Sequence, residues 1–262
     1  MNRLATTLVA AALLSIAAAP LATAAEAGAK PTIVLVHGAF ADSSGWDGVA
    51  ANLTKDGYRV VAAYNPLRGV KNDAEAVASV LRSIPGSVVL VGHSYGGAVI
   101  TTAALGNENV KSLVYVGGFA PDAGENVLEL TTRFPGSTLP AALAAPAQLA
   151  DGTKDFYIDQ DKFHQQFAAD LTPAKARLMA IGQRPIAEAA LKEATAAAAW
   201  KQLPSYFIYG SADKNIPPAS LSFMAERAQS RRTVVIKGAS HVVMSSHPTA
   251  VAQLIRQAAQ AK

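Results

Sequence analysis

Cysteine is absent from all 262 residues. That absence removes disulfide staples, thiolate metal sites and a cysteine nucleophile together, so packing alone must hold the chain. Charge is sparse as well: Asp, Glu, Lys and Arg make up 16% of the sequence against 50% apolar residues, a balance that buries a core and argues against disorder. The net charge of +4 is scattered, with Arg231-Arg232 the single adjacent basic pair. A nucleic-acid surface needs a concentrated basic stripe, so no nucleic-acid partner is expected. No H-E-x-x-H, clustered His/Asp set or phosphate-cradling glycine loop occurs, which leaves no metal site and no nucleotide site to argue for.

Long apolar runs are also missing, with one exception. Residues 4–19 form an apolar stretch behind Arg3, followed by Pro20 and by Ala22-Thr23-Ala24. A cation, an apolar run and an A-x-A site describe a secretory signal peptide. Residues 1–24 are therefore expected to be removed, leaving residues 25–262 as the mature chain, periplasmic or secreted from a bacterium. The run is short and rich in small residues for a bilayer span, and no cysteine follows it to carry a lipid. No stable membrane anchor is expected after cleavage.

What is present is a rhythm. Apolar runs at 32–37 (TIVLVH), 58–64, 87–92 (SVVLVG), 110–118, 205–210 (SYFIYG) and 233–238 alternate with helix-like segments such as 73–84, DAEAVASVLRSI. Continuous apolar strands separated by amphipathic helices predict an α/β fold. Its mostly parallel sheet has about six strands, with helices on both faces and right-handed crossovers. Residues 121–200 break the rhythm with no convincing buried strand. Helices are expected around 159–170, from Thr172-Pro173, and from Pro185 to Trp200. So long an interval inside one domain reads as a helical cap inserted before the last two strands.

The stretch Gly92-His93-Ser94-Tyr95-Gly96 matches G-x-S-x-G between a strand and a helix, the context in which a serine is lifted from a strained turn as a nucleophile. Side chains at Gly92 and Gly96 would clash across such a turn. A serine hydroxyl needs a base, and the base an orienting acid, in the chain order Ser, acid, His. Asp213 follows the run ending at Gly210, and His241 follows the run ending near Lys237. Both fall at strand carboxyl ends, where open α/β sheets place their sites. Asp213 also suits a turn cap ahead of Pro217, and His241 a buried structural histidine. The other histidines fit less well: His93 is the variable position of the turn, His164 lies in the cap, and His247 is expected to cap the last helix. His37 opens HGAF (37–40), where the backbone N–H of Ala39, together with that of Tyr95, is the expected oxyanion hole.

These motifs, VLVHGAF, GHSYGG, DKNIPP and GASHVVMSSHP, resemble the α/β-hydrolase superfamily over essentially the whole mature chain. Within it they resemble the branch of plant methylesterases, hydroxynitrile lyases and small bacterial esterase-like relatives. The resemblance implies an α/β-hydrolase fold with a helical cap over an apolar pocket and no metal or organic cofactor. S-selective lyases of that branch carry Thr after the first histidine and Lys after the catalytic one, and some R-selective lyases carry Asn at the first place. Here the positions are Gly38 and Val242, which favours hydrolysis. The expected activity is serine-dependent cleavage of small apolar or aromatic carboxylic esters through an acyl-enzyme, with Ser94, Asp213 and His241 as the catalytic residues. Hydroxynitrile-lyase-like or perhydrolase activity, or ligand binding on a hydrolase fold, are the alternatives. The expected partner is a small-molecule ester, and the chain a monomer or homodimer.

Overall fold

The computed structural model describes residues 29–261, so the signal segment expected at 1–24 lies outside the described residues. The chain begins with β1 (Thr32–Val36), α1 (Asp47–Lys55), β2 (Val60–Ala63), α2 (Val70–Arg82), β3 (Val88–His93), α3 (Tyr95–Ala103) and β4 (Val110–Val116). An insertion follows: α4 (Val127–Thr132), α5 (Leu139–Ala142), β5 (Ala147–Gln148), β6 (Lys154–Phe156), α6 (Gln160–Phe167), α7 (Pro173–Gly182), β7 (Ile186–Ala187) and α8 (Glu188–Lys192). The chain closes with β8 (Ser205–Gly210), α9 (Pro218–Arg227), β9 (Arg232–Ile236), α10 (Val243–Ser246) and α11 (Pro248–Gln260).

Six strands form one parallel sheet in the order β2-β1-β3-β4-β8-β9. β1 and β3 are buried along their whole lengths, which is why their sequences are apolar without alternation. The connection from β1 runs outward to β2 on one side, whereas β3 leads to β4 on the other. Right-handed crossovers then place α1 and α2 on opposite faces. The crevice at the carboxyl ends of β1 and β3 is the point where the strand order reverses, the usual location of a site on such a sheet.

Register makes this concrete: Val36 is level with Gly92 across β1 and β3, and His93 is level with Val116 across β3 and β4. Gly210 pairs with Ile236 across β8 and β9. The turns carrying His37, Ser94, Asp213 and His241 therefore leave the same edge of the sheet.

The insertion between β4 and β8 differs from the expected all-helical cap in two ways. It contains a small antiparallel sheet, β5-β6-β7, whose strands of two or three residues are too short to show a period-two pattern. The helix expected from Pro185 to Trp200 is reduced to α8 and a 3₁₀ turn at Ala199–Lys201. The cause is tertiary: Thr195 donates its N–H to Glu125 O at 2.8 Å and accepts from Gly124 N–H at 2.8 Å, so this backbone pairs with the loop after β4 instead of closing a helix. The other two helices form as expected. α7 opens on Pro173, and the Thr172 side chain accepts from the Lys175 N–H.

Candidate active site

Ser94 sits between β3 and α3 with φ +53° and ψ −125°. A non-glycine residue holds such a conformation only where its surroundings over-determine it. The surroundings are glycines. A Cβ at Gly92 would lie 2.5 Å from Gly96 O, and one at Gly96 would lie 2.6 Å from Val36 O, at the end of β1. A Cβ at Gly97 would meet Phe119 O at 2.4 Å, so this glycine admits the loop after β4. The Ser94 carbonyl accepts from Gly97 N–H at 2.9 Å and Phe119 N–H at 3.1 Å, which pins the turn from both sides.

His241 and Asp213 meet directly: His241 Nδ1 is 2.6 Å from Asp213 Oδ2, and both side chains are buried. A carboxylate only accepts, so Nδ1 carries the proton and Nε2 is left as an acceptor. The other carboxylate oxygen accepts from Asn215 N–H at 2.8 Å and Ile216 N–H at 3.0 Å. Asp213 thus caps its own turn and binds His241 at the same time, so the two readings of this residue coexist. Gly117, with φ +48°, passes beneath the pair; a Cβ there would be 3.3 Å from His241 O.

One cavity of about 40 Å³ brings the expected residues together: Ser94, His241, Ala39 and Tyr95 all line it. Asp213 stands behind His241. The remaining wall is almost entirely apolar, with Phe40, Phe119, Val127, Leu139, Phe167 and Ile216 among it. Asn215 has both ends of its amide engaged by Gln166, and the Thr131 hydroxyl donates to Val127 O at 2.7 Å. Of the cap aromatics that could line a pocket, Phe167 does so. Phe163 backs it at 4.9 Å between ring centroids, while Phe134 packs against Phe223 instead. A wider cleft of about 760 Å³ between α6 and α7 contains none of Ser94, Asp213 and His241. Among the described residues no group of three or more His, Cys, Asp or Glu could hold a metal ion.

Around the cavity the sequence reading missed Asp170, Asn65 and Asp73, and it gave His93 no role. His93 is fully buried, and its Nε2 lies 3.2 Å from His241 O, so as an N–H donor it fixes the main chain of His241. Burial, then the neighbouring His241, holds the His93 pKa well below 6.5. Asp170, in the cap, takes a hydrogen bond from the hydroxyl of Ser240, the neighbour of His241. Asn65 donates to His37 O at 2.7 Å. Asp73 accepts from the Tyr95 hydroxyl at 2.7 Å. A signal for Asp73 was available, since it falls on the apolar stripe Asp73, Val77, Leu81, all fully buried on α2, although a first-turn acid also suits the start of a helix. His247 is the N-cap residue of α11, as expected, but its side chain makes no capping bond. Its Nδ1 pairs with the Ser246 hydroxyl at 2.9 Å and lies 3.8 Å from Asp170 Oδ2.

Residues 33–254 match the model of the alpha/beta hydrolase family, and the chain belongs to that family. Among curated relatives it is 29% identical over 252 residues to the pimeloyl-[acyl-carrier protein] methyl ester esterase of Aeromonas hydrophila, covering 87% of this chain and 95% of that protein. Polyneuridine aldehyde esterase superposes with a TM-score of 0.75 at 19% identity, over 87% of this chain and 99% of that one. An extracellular alpha/beta-hydrolase from a Paenibacillus species does so with a TM-score of 0.70 at 23% identity, over 88% of this chain and 100% of that one. The expected α/β-hydrolase fold is thereby established, with six parallel strands and flanking helices.

Proposed function

We propose that this chain is a serine esterase acting on small, uncharged carboxylic esters. The observation that carries the proposal is the convergence of Ser94, held at φ +53°, and His241, bound to Asp213 at 2.6 Å, on one apolar cavity. His241 Nε2 takes the hydroxyl proton as Ser94 Oγ bonds to the carbonyl carbon. The backbone N–H groups of Ala39 and Tyr95 bind the oxygen as it gains charge. Collapse of the tetrahedral species breaks the C–O bond, and His241 returns the proton to the leaving alcohol. Water then repeats the cycle on the acyl-enzyme and releases the acid. Two of the similar proteins named above are esterases, which supports the same chemistry here.

Two features set the substrate class. No Asp, Glu, Lys or Arg side chain lines the cavity, so a carboxylate or ammonium on the substrate would be buried unpaired. The volume of about 40 Å³ favours small substrates. Hydrolysis is favoured over cyanohydrin cleavage because a side chain at position 38 would collide with Ser94, its Cβ lying 2.6 Å from Ser94 Cβ. Val242 is fully buried and offers no ammonium. Export through residues 1–24 belongs to the same proposal; fractionation of a native host with N-terminal sequencing tests it, and a mature chain still carrying those residues would reject it.

The direct test compares residues 25–262 with their Ser94→Ala variant on p-nitrophenyl acetate. The variant should fold and lose kcat by several orders of magnitude. Equal rates in the two folded proteins would dismiss the assignment.

A further inference from the structure

Asp73 is a buried carboxylate whose partners are three donors: the Tyr95 hydroxyl at 2.7 Å, Arg68 N–H at 3.1 Å and Gly69 N–H at 3.3 Å. Among the described residues it forms no ion pair, and the Arg68 guanidinium is directed away to Asp155 and Pro185 O. A buried carboxyl is tolerated where donors satisfy it, and here two come from the backbone and one from a side chain. Its reach back to the start of α2 explains two of the three bonds, but not why its strongest contact is the side chain next to Ser94.

The peptide between Ser94 and Tyr95 carries the N–H assigned to the oxyanion hole, and the ψ of Ser94, −125°, sets the direction of that N–H. A strained torsion relaxes unless it is held from outside. Tyr95 is 1% exposed, and its ring runs from that peptide to Asp73, where the phenol is anchored. Burial, reinforced by the Asp73 charge, raises the phenol pKa above its ordinary value of 10.0, so the hydroxyl remains a donor at any working pH.

We infer that the Asp73–Tyr95 hydrogen bond is a positioning device for the oxyanion hole, with Asp73 a positioning residue that aims the Tyr95 N–H at the developing charge. The inference rests on the serine-esterase reading and goes beyond it. A donor aimed only at the transition state affects turnover and spares ground-state binding.

The test is Tyr95→Phe, which removes one hydroxyl and leaves the ring. On p-nitrophenyl acetate, kcat should fall about tenfold with KM unchanged, and Ki for a trifluoromethyl ketone, which forms a tetrahedral adduct on serine, should rise by the same factor. Inhibition by benzyl alcohol, a ground-state mimic of a leaving group, should not move. A folded variant with unchanged kcat and ketone affinity overturns the inference, as does a loss confined to KM. A variant that fails to fold assigns the bond to stability and overturns it equally. If wild type itself neither turns over esters nor is labelled by a phosphonate at Ser94, the esterase reading falls and takes this inference with it. An active wild type with an equally active variant removes the inference alone.

Discussion

Gly38 shows how tightly single residues constrain the site. A Cβ there would lie 2.6 Å from Ser94 Cβ and 2.7 Å from His93 O, and the second contact is backbone that cannot rotate away. Introducing the lyase-type residue by Gly38→Thr should therefore displace the Ser94 turn, abolishing ester hydrolysis without producing cyanohydrin cleavage. Parallel assays of the two substrates check this, and retention of esterase activity would contradict it. His93 sets a different limit, on pH. It is buried, and burial holds its pKa well below 6.5; His37 is lowered in the same way. The unfolded chain takes up protons near 6.5 while the native fold does not, so the stability is present above that pH and lost as the pH falls through it. His93→Gln can keep a donor toward His241 O but cannot titrate. Its Tm should fall less than that of wild type between pH 7 and pH 5, and parallel curves would show that His93 is not the source.

At the scale of elements, polar tethers join the cap to the core, among them those at β6, β7 and Arg184. Arg68 Nη1 meets Asp155 in β6 at 2.7 Å, Ala187 N–H in β7 donates to Leu67 O at 3.0 Å, and Phe40 N–H donates to Arg184 O at 2.9 Å. Arg68 is partly exposed, with 36% of its side-chain surface accessible, so the ion pair contributes only about 1 kcal/mol or less after screening. Asp155→Ala should leave Tm nearly unchanged yet speed limited proteolysis within residues 147–192, because a low-stability unit opens before the whole fold. Unchanged cleavage would show that the ion pair does not hold the cap. The parallel sheet was legible in the sequence because buried strands such as TIVLV and SYFIYG are apolar without interruption. The cap sheet was not, since Ala147–Gln148 and Ile186–Ala187 are too short to carry a period. The last cap helix was misread because Thr195 satisfies its backbone on residues 124 and 125, a long-range pairing that local propensity cannot reveal.

For the molecule as a whole, the decisive fact is topological. A sheet ordered β2-β1-β3-β4-β8-β9 reverses between β1 and β3, and the turns that follow β1, β3, β8 and β9 gather at one edge. That made Ser94, Asp213, His241, Ala39 and Tyr95 readable from motif and chain order alone. Asp73, Asn65 and Asp170 act through contacts whose partners lie far away in sequence, and the positions of those partners appear only once the chain is folded. Hydrolysis through an acyl-enzyme requires Ser94 to become covalently acylated. Intact-mass spectrometry of the protein, acid-quenched during steady-state hydrolysis of p-nitrophenyl acetate, tests it most directly. Expected is an adduct of one acetyl group, mapped by peptide digestion to Ser94 and strongly diminished in His241→Ala, where Ser94 has no base to take its proton. Sustained hydrolysis by the wild type with no adduct, or with the acetyl group on another residue, would contradict it.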